Sequence, residues 1–458
     1  AVAPARAEPV PGAGSTVKLA EYAAKLRYED IPPDVLQRAK DTICDTTATI
    51  LYGGELPWSK IIVAYARRTG AAGKSRILGT GGVAVQPAAA ALAHGALTHA
   101  FELDNLTKPD SGVHPGATLF SSGLALSQDR GFGGRDLLTA FVAGGEVAIR
   151  IGHATKHTNE VRGFHAPGTT GPFAAAVACG RLLQFDAPTM TNAMGIAGSL
   201  AGGLLEFARA GNGAMVKRLH LGRAAEGGVM AASLAADGFT GPTSVLEGEA
   251  GFLRAFCPEW DVSELTHGLG EKFECRTIMM KRYACHITAH NAVEAIRDLR
   301  AAHNIAAADV VSIAIAGNKR MATVNNIAAP ADMMMAQLGI PFCVALAFFR
   351  NPIDPRSFDE TAVRDPDILA LASKVKMSIV DGQDNRNMAT TVVVALKDGR
   401  TVSQNVTAFQ GTPERPLDRA GLLEKFLLLT SAYQRPDMER LFDRLQNLDK
   451  EPSLDWLA

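Results

Sequence analysis

The chain lacks the residue clusters that announce a metal or redox centre. Its six cysteines, Cys44, Cys179, Cys257, Cys275, Cys285 and Cys343, show no CxxC spacing, which excludes the common zinc and iron–sulfur ligand patterns. Most stand in apolar surroundings and read as buried thiols of a reducing compartment, pointing to the cytoplasm. No apolar run is long enough to cross a bilayer, and no dinucleotide fingerprint follows a predicted strand. An excess of one charge is also missing. With 46 Lys+Arg against 47 Asp+Glu, neither nucleic acid nor an anionic membrane is expected as the partner, and any basic site must be local. Aromatics make up 6% of residues, while Ala and Gly abound, as suits closely packed helices. No internal repeat or low-complexity linker breaks the chain.

At 458 residues the chain exceeds one typical core, so two domains are expected. The opening AVAPARAEPVPGAGS lacks a methionine and an apolar signal core, and reads as a tail rather than the scar of a leader. Ser15 stands as an N-cap for a helix to Leu26. Pro32-Pro33 opens a second helix, closed by Gly53-Gly54. Helical patterns continue over Gln86–His99, Arg135–His153, Pro172–Leu183, Ala187–Leu205 and Arg223–Ala236. Arg76-Ile-Leu-Gly is a brief extended piece. After about residue 268 the texture changes. Ala308–Ala316 and Lys374–Val380 read as strands, and Thr390–Leu396 with Thr401–Ala408 as a hairpin around Asp398-Gly399. Helices are expected at His290–His303, Ile340–Phe349, Ala420–Leu429 and Asp437–Leu445. The expected fold is mainly α: a large helical domain (1–268 with 409–458) and a smaller α+β domain (269–408) inserted before the C-terminal helices.

Two loop-to-helix junctions stand out. Arg162-Gly-Phe-His165-Ala-Pro-Gly-Thr-Thr-Gly171 sets one histidine among glycines ahead of an Ala-rich helix. Gly211-Asn-Gly-Ala-Met-Val-Lys217-Arg-Leu-His220-Leu-Gly-Arg223 gathers four basic side chains. Glycines admit close backbone approach and helix N-termini attract anions, so together they point to a pocket for a multiply anionic small molecule, with Arg223 as a further anion contact. Glu102 and Asp104, two apart at a helix end and followed by His114-Pro-Gly, can supply acid and base groups. Asp104 or Asn105 reads equally well as a cap. His286 and His290 have metal-ligand spacing, but with no Glu between them and no third ligand, no metal is expected.

GFHAPGTTGPFAAAVACGRLL, MGIAGSLAGGLLEF, KRLHLGRAAEGGVMAASLAADGFTGP and KRYACHITAH, in this order, resemble the MmgE/PrpD family over nearly the whole chain. The family comprises lyases and isomerases of small di- and tricarboxylates. The resemblance matches His165, Lys217 and His220 to family motif positions, and finds an acidic cluster and a His-Pro pair at Glu102, Asp104 and His114. It implies that Lys281 and His286 reach across to the first domain's site. Phe342 replaces a tyrosine that lines the site in some relatives, and Asn105 and Leu106 replace aspartate and threonine. The implied protein is a cofactor-independent homodimeric lyase, a dehydratase or decarboxylase. Its catalytic residues would be His165, His114, Lys217, Lys281 and Asp104, and its substrate-binding residues Glu102, His220, Arg223, His286 and Phe342. His165 is the favoured proton carrier, since a loop histidine titrates near neutrality. The small-residue helices 88–100 and 195–205 are candidate dimer contacts. An isomerase or epimerase, or a non-catalytic binding relative, are the alternatives.

Overall fold

The computed structural model describes residues 14–109, 111–210 and 214–458. The opening run 1–13, Asp110 and the glycine-rich entry 211–213 lie outside the described residues.

Helix α1 (Ser15–Lys25) starts at Ser15 itself, with Gly14 at the cap position. The cap is supplied from a distance: the Glu247 carboxylate accepts the Gly14 and Thr16 amide protons at 3.0 and 3.2 Å. That removes the need for a serine cap. Helices α2 (Pro33–Glu55) and α3 (Pro57–Thr69) each begin on a proline, which needs no amide partner there. A short antiparallel pair, β1 (Ser75–Ile77) and β2 (Val83–Val85), precedes α4 (Pro87–Thr98), and β3 (Leu106–Thr107) pairs with the distant β4 (Ile278–Met279).

The helix α4 is the hub of the first half. It is buried from Ala89 to Thr98 and packs against α2, α3, α5 (Ser121–Arg130) and α9 (Val216–Ala236). Residues 89–98 are buried inside this chain, where their small side chains serve internal packing. Beyond α4, α6 (Gly134–Ala154) and α8 (Ala187–Gly198) pack on α7 (Ala166–Leu182), and α7 and α8 lie against α9. The apolar α6 has the length of a membrane span, yet it is buried in the core and carries a Glu146–Arg150 pair at 2.6 Å.

Two helix starts lie earlier than periodicity places them. α9 opens at Val216 and α7 at Ala166, with Pro172 inside α7. An interior proline leaves the carbonyl four residues back without its amide. Here that carbonyl belongs to Gly168, and Gly202 N–H donates to it at 3.2 Å. The helix thus survives its proline, and the glycine-rich run is helix rather than loop. Gly171 lets α9 and the Gly116 turn close in, since a Cβ there would meet Ala224 at 2.7 Å and Thr118 at 2.9 Å.

The second half holds α10 (Phe252–Phe256), α11 (His290–His303) and β5 (Val310–Gly317). It continues with α12 (Lys319–Thr323), α13 (Met333–Leu338), α14 (Ile340–Phe349), α15 (Glu360–Val363) and α16 (Pro366–Ala372). Strands β6 (Val375–Ile379), β7 (Thr390–Leu396) and β8 (Thr401–Val406) join β5 in a four-stranded sheet of order β6-β5-β7-β8. β6 runs parallel to β5 and the others antiparallel. The alternating burial of β7 fits one covered face, and α11 supplies the cover. Gly399, at φ +87, makes the hairpin turn. The last helices, α17 (Arg419–Leu429) and α18 (Arg435–Gln446), return to pack on α2. The fold is mainly α with a small sheet region, as expected.

Candidate active site

Local pairing carries Lys281 to the acidic loop. Leu106-Thr107 pairs antiparallel with Ile278-Met279, and Lys108 N–H donates to Thr277 O at 2.9 Å. Two residues past that ladder, the Lys281 ammonium donates to Glu102 Oε2 at 2.7 Å and stands 3.9 Å from Asp104 Oδ1. From the other side, Lys217 in the first turn of α9 pairs with Glu102 Oε1. One carboxylate thus gathers two lysines, all three side chains being buried.

Beneath this trio lies a histidine–aspartate relay. Asp104 is fully buried, and its Oδ2 receives His114 Nδ1 at 2.6 Å and His99 Nδ1 at 2.9 Å. Burial by itself raises a carboxyl pKa; the two rings outweigh it and hold Asp104 well below the usual carboxylate range. His99 is pushed down to about 3 by burial, against the pull of Asp104, and stays neutral. Donation through Nδ1 fixes the tautomer of His114, with Nε2 as its acceptor nitrogen. The Asp104, His99 and His114 ligand atoms lie within 4.8 Å of one another. Both rings sit at hydrogen-bond distance from one oxygen while a lysine faces the other, so the group reads as a hydrogen-bond relay.

His165 ends the extended stretch before α7. Its N–H donates to Gly203 O at 3.0 Å, and Leu205 N–H donates to Gly163 O at 2.8 Å, bringing Phe207 against its ring. His165 Nδ1 meets His220 Nδ1 at 3.0 Å. Burial first, then His99 and His220, push His165 well below the ordinary imidazole value. Burial and Lys217 take His220 to about 4. Both rings are neutral at physiological pH, contrary to the near-neutral value expected of His165. Burial first, with Lys281, Arg218 and Arg320, holds Lys217 below the usual lysine range.

The cavity is lined by Glu102, His99, His114, His165, Lys217, Lys281 and His286, with Leu106, Ile287 and Leu338 as its apolar wall. His286 caps the turn Ile287–Ala289, while His290 accepts from Tyr283 N–H at 3.3 Å and packs on Phe409. The two histidines do not share a ligand site. His220 lies directly behind His165. Two expected binding residues fall elsewhere. Arg223 is half exposed on α9 and pairs with Glu226, because α9 turns that face outward. Phe342 is wholly buried in the apolar helix α14, away from the cavity.

Sequence reasoning passed over four groups that matter here. His99 has a faint signal, five residues before Asp104. His157, Glu160 and Arg320 line the cavity without any motif to flag them. Asn105, expected to bear on substrate or capping, is structural: it donates to Asp45 and Thr46 at 3.0 Å each and accepts from Gly116 N–H at 2.8 Å. Asp45 in turn holds Lys425 of α17 at 2.5 Å, and Lys425 donates to Leu103 O at 3.0 Å. The acidic loop is thereby braced by the C-terminal helices.

Residues 17–265 match the MmgE/PrpD N-terminal domain, and residues 283–448 the MmgE/PrpD C-terminal domain. The chain is 29% identical to a cis-aconitate decarboxylase of Aspergillus terreus, covering 95% of this chain and 94% of that protein. It is 28% identical to the Homo sapiens cis-aconitate decarboxylase, covering 93% of this chain and 89% of that protein. A cis-aconitate decarboxylase-like protein, oryM, of Aspergillus oryzae is 29% identical over 97% of this chain and 96% of its own length. With both family domains matched in order over most of its length, the chain belongs to the MmgE/PrpD family.

Proposed function

We propose that this protein is a cofactor-independent lyase that decarboxylates an unsaturated tricarboxylate of the cis-aconitate type. The observation that carries the reading is the convergence of Lys217 and Lys281 on one buried carboxylate, Glu102, beside His114 and His165. A substrate carboxylate entering beside Glu102 meets the donors of Lys217 and Lys281. Breaking a C–CO2 bond leaves the electron pair on the carbon skeleton, where a conjugated second carboxylate takes up the charge. Fixed cations at that carboxylate stabilise it as it develops. A proton must then reach carbon. His114, oriented by Asp104, is suited to deliver it, while neutral His165 serves as hydrogen-bond partner or base. The likeness to cis-aconitate decarboxylases supports decarboxylation over dehydration.

Incubation with cis-aconitate, citrate, methylcitrates and aspartate-derived diacids, read by mass spectrometry, tests this. Loss of CO2 from cis-aconitate is expected. Water loss or epimerisation of another acid, with cis-aconitate untouched, overturns it in favour of the dehydratase or isomerase reading.

We also propose a homodimer in the cytoplasm. Six buried free thiols support a reducing compartment. Val216, Met230, Leu234 and Phe239 are exposed along and just past α9, an apolar face that supports self-association. A monomeric mass by light scattering at micromolar concentration contradicts the dimer.

A further inference from the structure

The outer end of the cavity carries an ion pair that the hydrogen-bond relay does not use. Glu160, in the turn before His165, receives Arg320 Nη1 at 3.1 Å and His157 Nε2 at 3.2 Å. Arg320 sits in the first turn of α12, so the pair joins the two family domains across the cavity. The side chains of Arg320 and Glu160 are 24% and 18% exposed, against 2% for Lys281, which sets them at the rim. The backbone that carries Arg320 is anchored from behind. Asn318 caps its turn, and Arg320 N–H donates to Asn385 Oδ1 at 3.1 Å.

Charge balance gives this residue weight. Even with Lys217 and Lys281 both protonated, the carboxylates Glu102, Asp104 and Glu160 in and behind the cavity outnumber them, and Arg320 brings the count to balance. Without Arg320 the cavity holds one negative charge in excess and repels a multiply charged acid. Its field reaches inward as well: after burial, Arg320 is the next influence holding His286 down. The contact with Glu160 runs through Nη1, and a guanidinium has five N–H donors in a planar fork. A ligand carboxylate can therefore share Arg320 with Glu160 or replace it.

We propose that Arg320 is the specificity-determining contact for the outermost carboxylate of the substrate, and that Glu160 is its internal competitor. The pair holds the guanidinium over the cavity until a third carboxylate claims it. A tricarboxylate gains this contact; a dicarboxylate that reaches only Lys217 and Lys281 does not. This inference rests on the carboxylate reading of the site given above.

Calorimetric titration with two non-reacting probes, tricarballylate and methylsuccinate, tests it without turnover. The second probe is the first with one terminal carboxylate removed. Arg320→Gln is expected to cut the tricarballylate-to-methylsuccinate affinity ratio by about ten- to a hundredfold, the range of a charge-assisted hydrogen bond. Glu160→Gln, by removing the competitor, is expected to raise that ratio. A ratio unchanged in Arg320→Gln, with both probes weakened alike, reduces Arg320 to a latch and overturns the proposal. So does a fall of the ratio in Glu160→Gln. Failure of the wild-type protein to bind either probe overturns the carboxylate reading itself, and the proposal with it.

Discussion

Lys281 Nζ lies 2.7 Å from Glu102 Oε2 although 179 positions separate the two residues. The short Leu106-Thr107 ladder with Ile278-Met279 makes the meeting possible, and Lys217 completes it from α9. Breaking a buried pair by removing one partner strands the other charge.

Lys217→Met and Lys281→Met should therefore each lower kcat/KM on the true substrate by about 10²–10³-fold, the usual loss of one preorganised electrostatic contact. Glu102→Gln should lower catalysis as well, since it removes the carboxylate that spaces the lysines. Steady-state kinetics on variants with native circular dichroism checks this. Unaltered turnover in Lys217→Met would relegate that lysine to packing.

Removing the proton path should separate the two histidines. His114→Gln and Asp104→Asn should reduce kcat by about 10²–10⁴-fold, as for general acid–base residues. His165→Gln should fall in the same range if it moves the proton, and act mainly on KM if it only contacts the ligand. Comparing kcat with KM for the three variants decides between the roles.

Acid should unfold the protein steeply. His94 and His220 are lowered to about 4 and His99 to about 3, burial being the first cause each time; burial also holds His165, His286 and His290 well below the ordinary imidazole value. A group whose folded pKa lies below its unfolded value, about 6.5 for histidine, binds its proton first in the unfolded chain. Stability is then full above about pH 6.5 and declines as pH falls toward 4. Chemical denaturation at several pH values should report uptake of several protons over that window. A flat profile from pH 7 to about 4.5 would contradict the neutral buried histidines.

Asn105→Asp should destabilise the fold by about 3 kcal/mol, because it sets a second carboxylate 3.0 Å from Asp45. The penalty should shrink in acid, where the new carboxyl holds a proton. Thermal melts at two pH values read both effects, and restored or increased activity in the stable fraction would show that Asn105 also bears on chemistry.

Activity should survive dialysis against EDTA. The His99–Asp104–His114 group is read as a hydrogen-bond relay around one carboxylate oxygen. Loss of turnover restored by a single divalent metal would make it a metal site instead.

Much of the fold was readable residue by residue, because its signals are local. The Asp398-Gly399 turn, the boundaries of α11 and α14 and the change from helical to alternating texture near residue 268 follow from turn chemistry and periodicity. His165, Lys217, Lys281 and His286 were legible through motif resemblance, and Glu102, Asp104 and His114 through the spacing of acid and base groups as well. The tertiary structure decided the rest. Whether α7 tolerates Pro172 depends on Gly202 reaching Gly168 O, a contact absent from any local window. Arg223 matches the charge pattern of a site residue, yet the rotation of α9 turns it to solvent, and Phe342 is drawn into the core by α14. Arg320 and Glu160, 160 positions apart, belong to no motif; folding alone brings them together. Local pattern specifies elements because it acts within a turn or two of backbone, whereas the site is assembled by loop closures whose partners no single stretch of sequence contains.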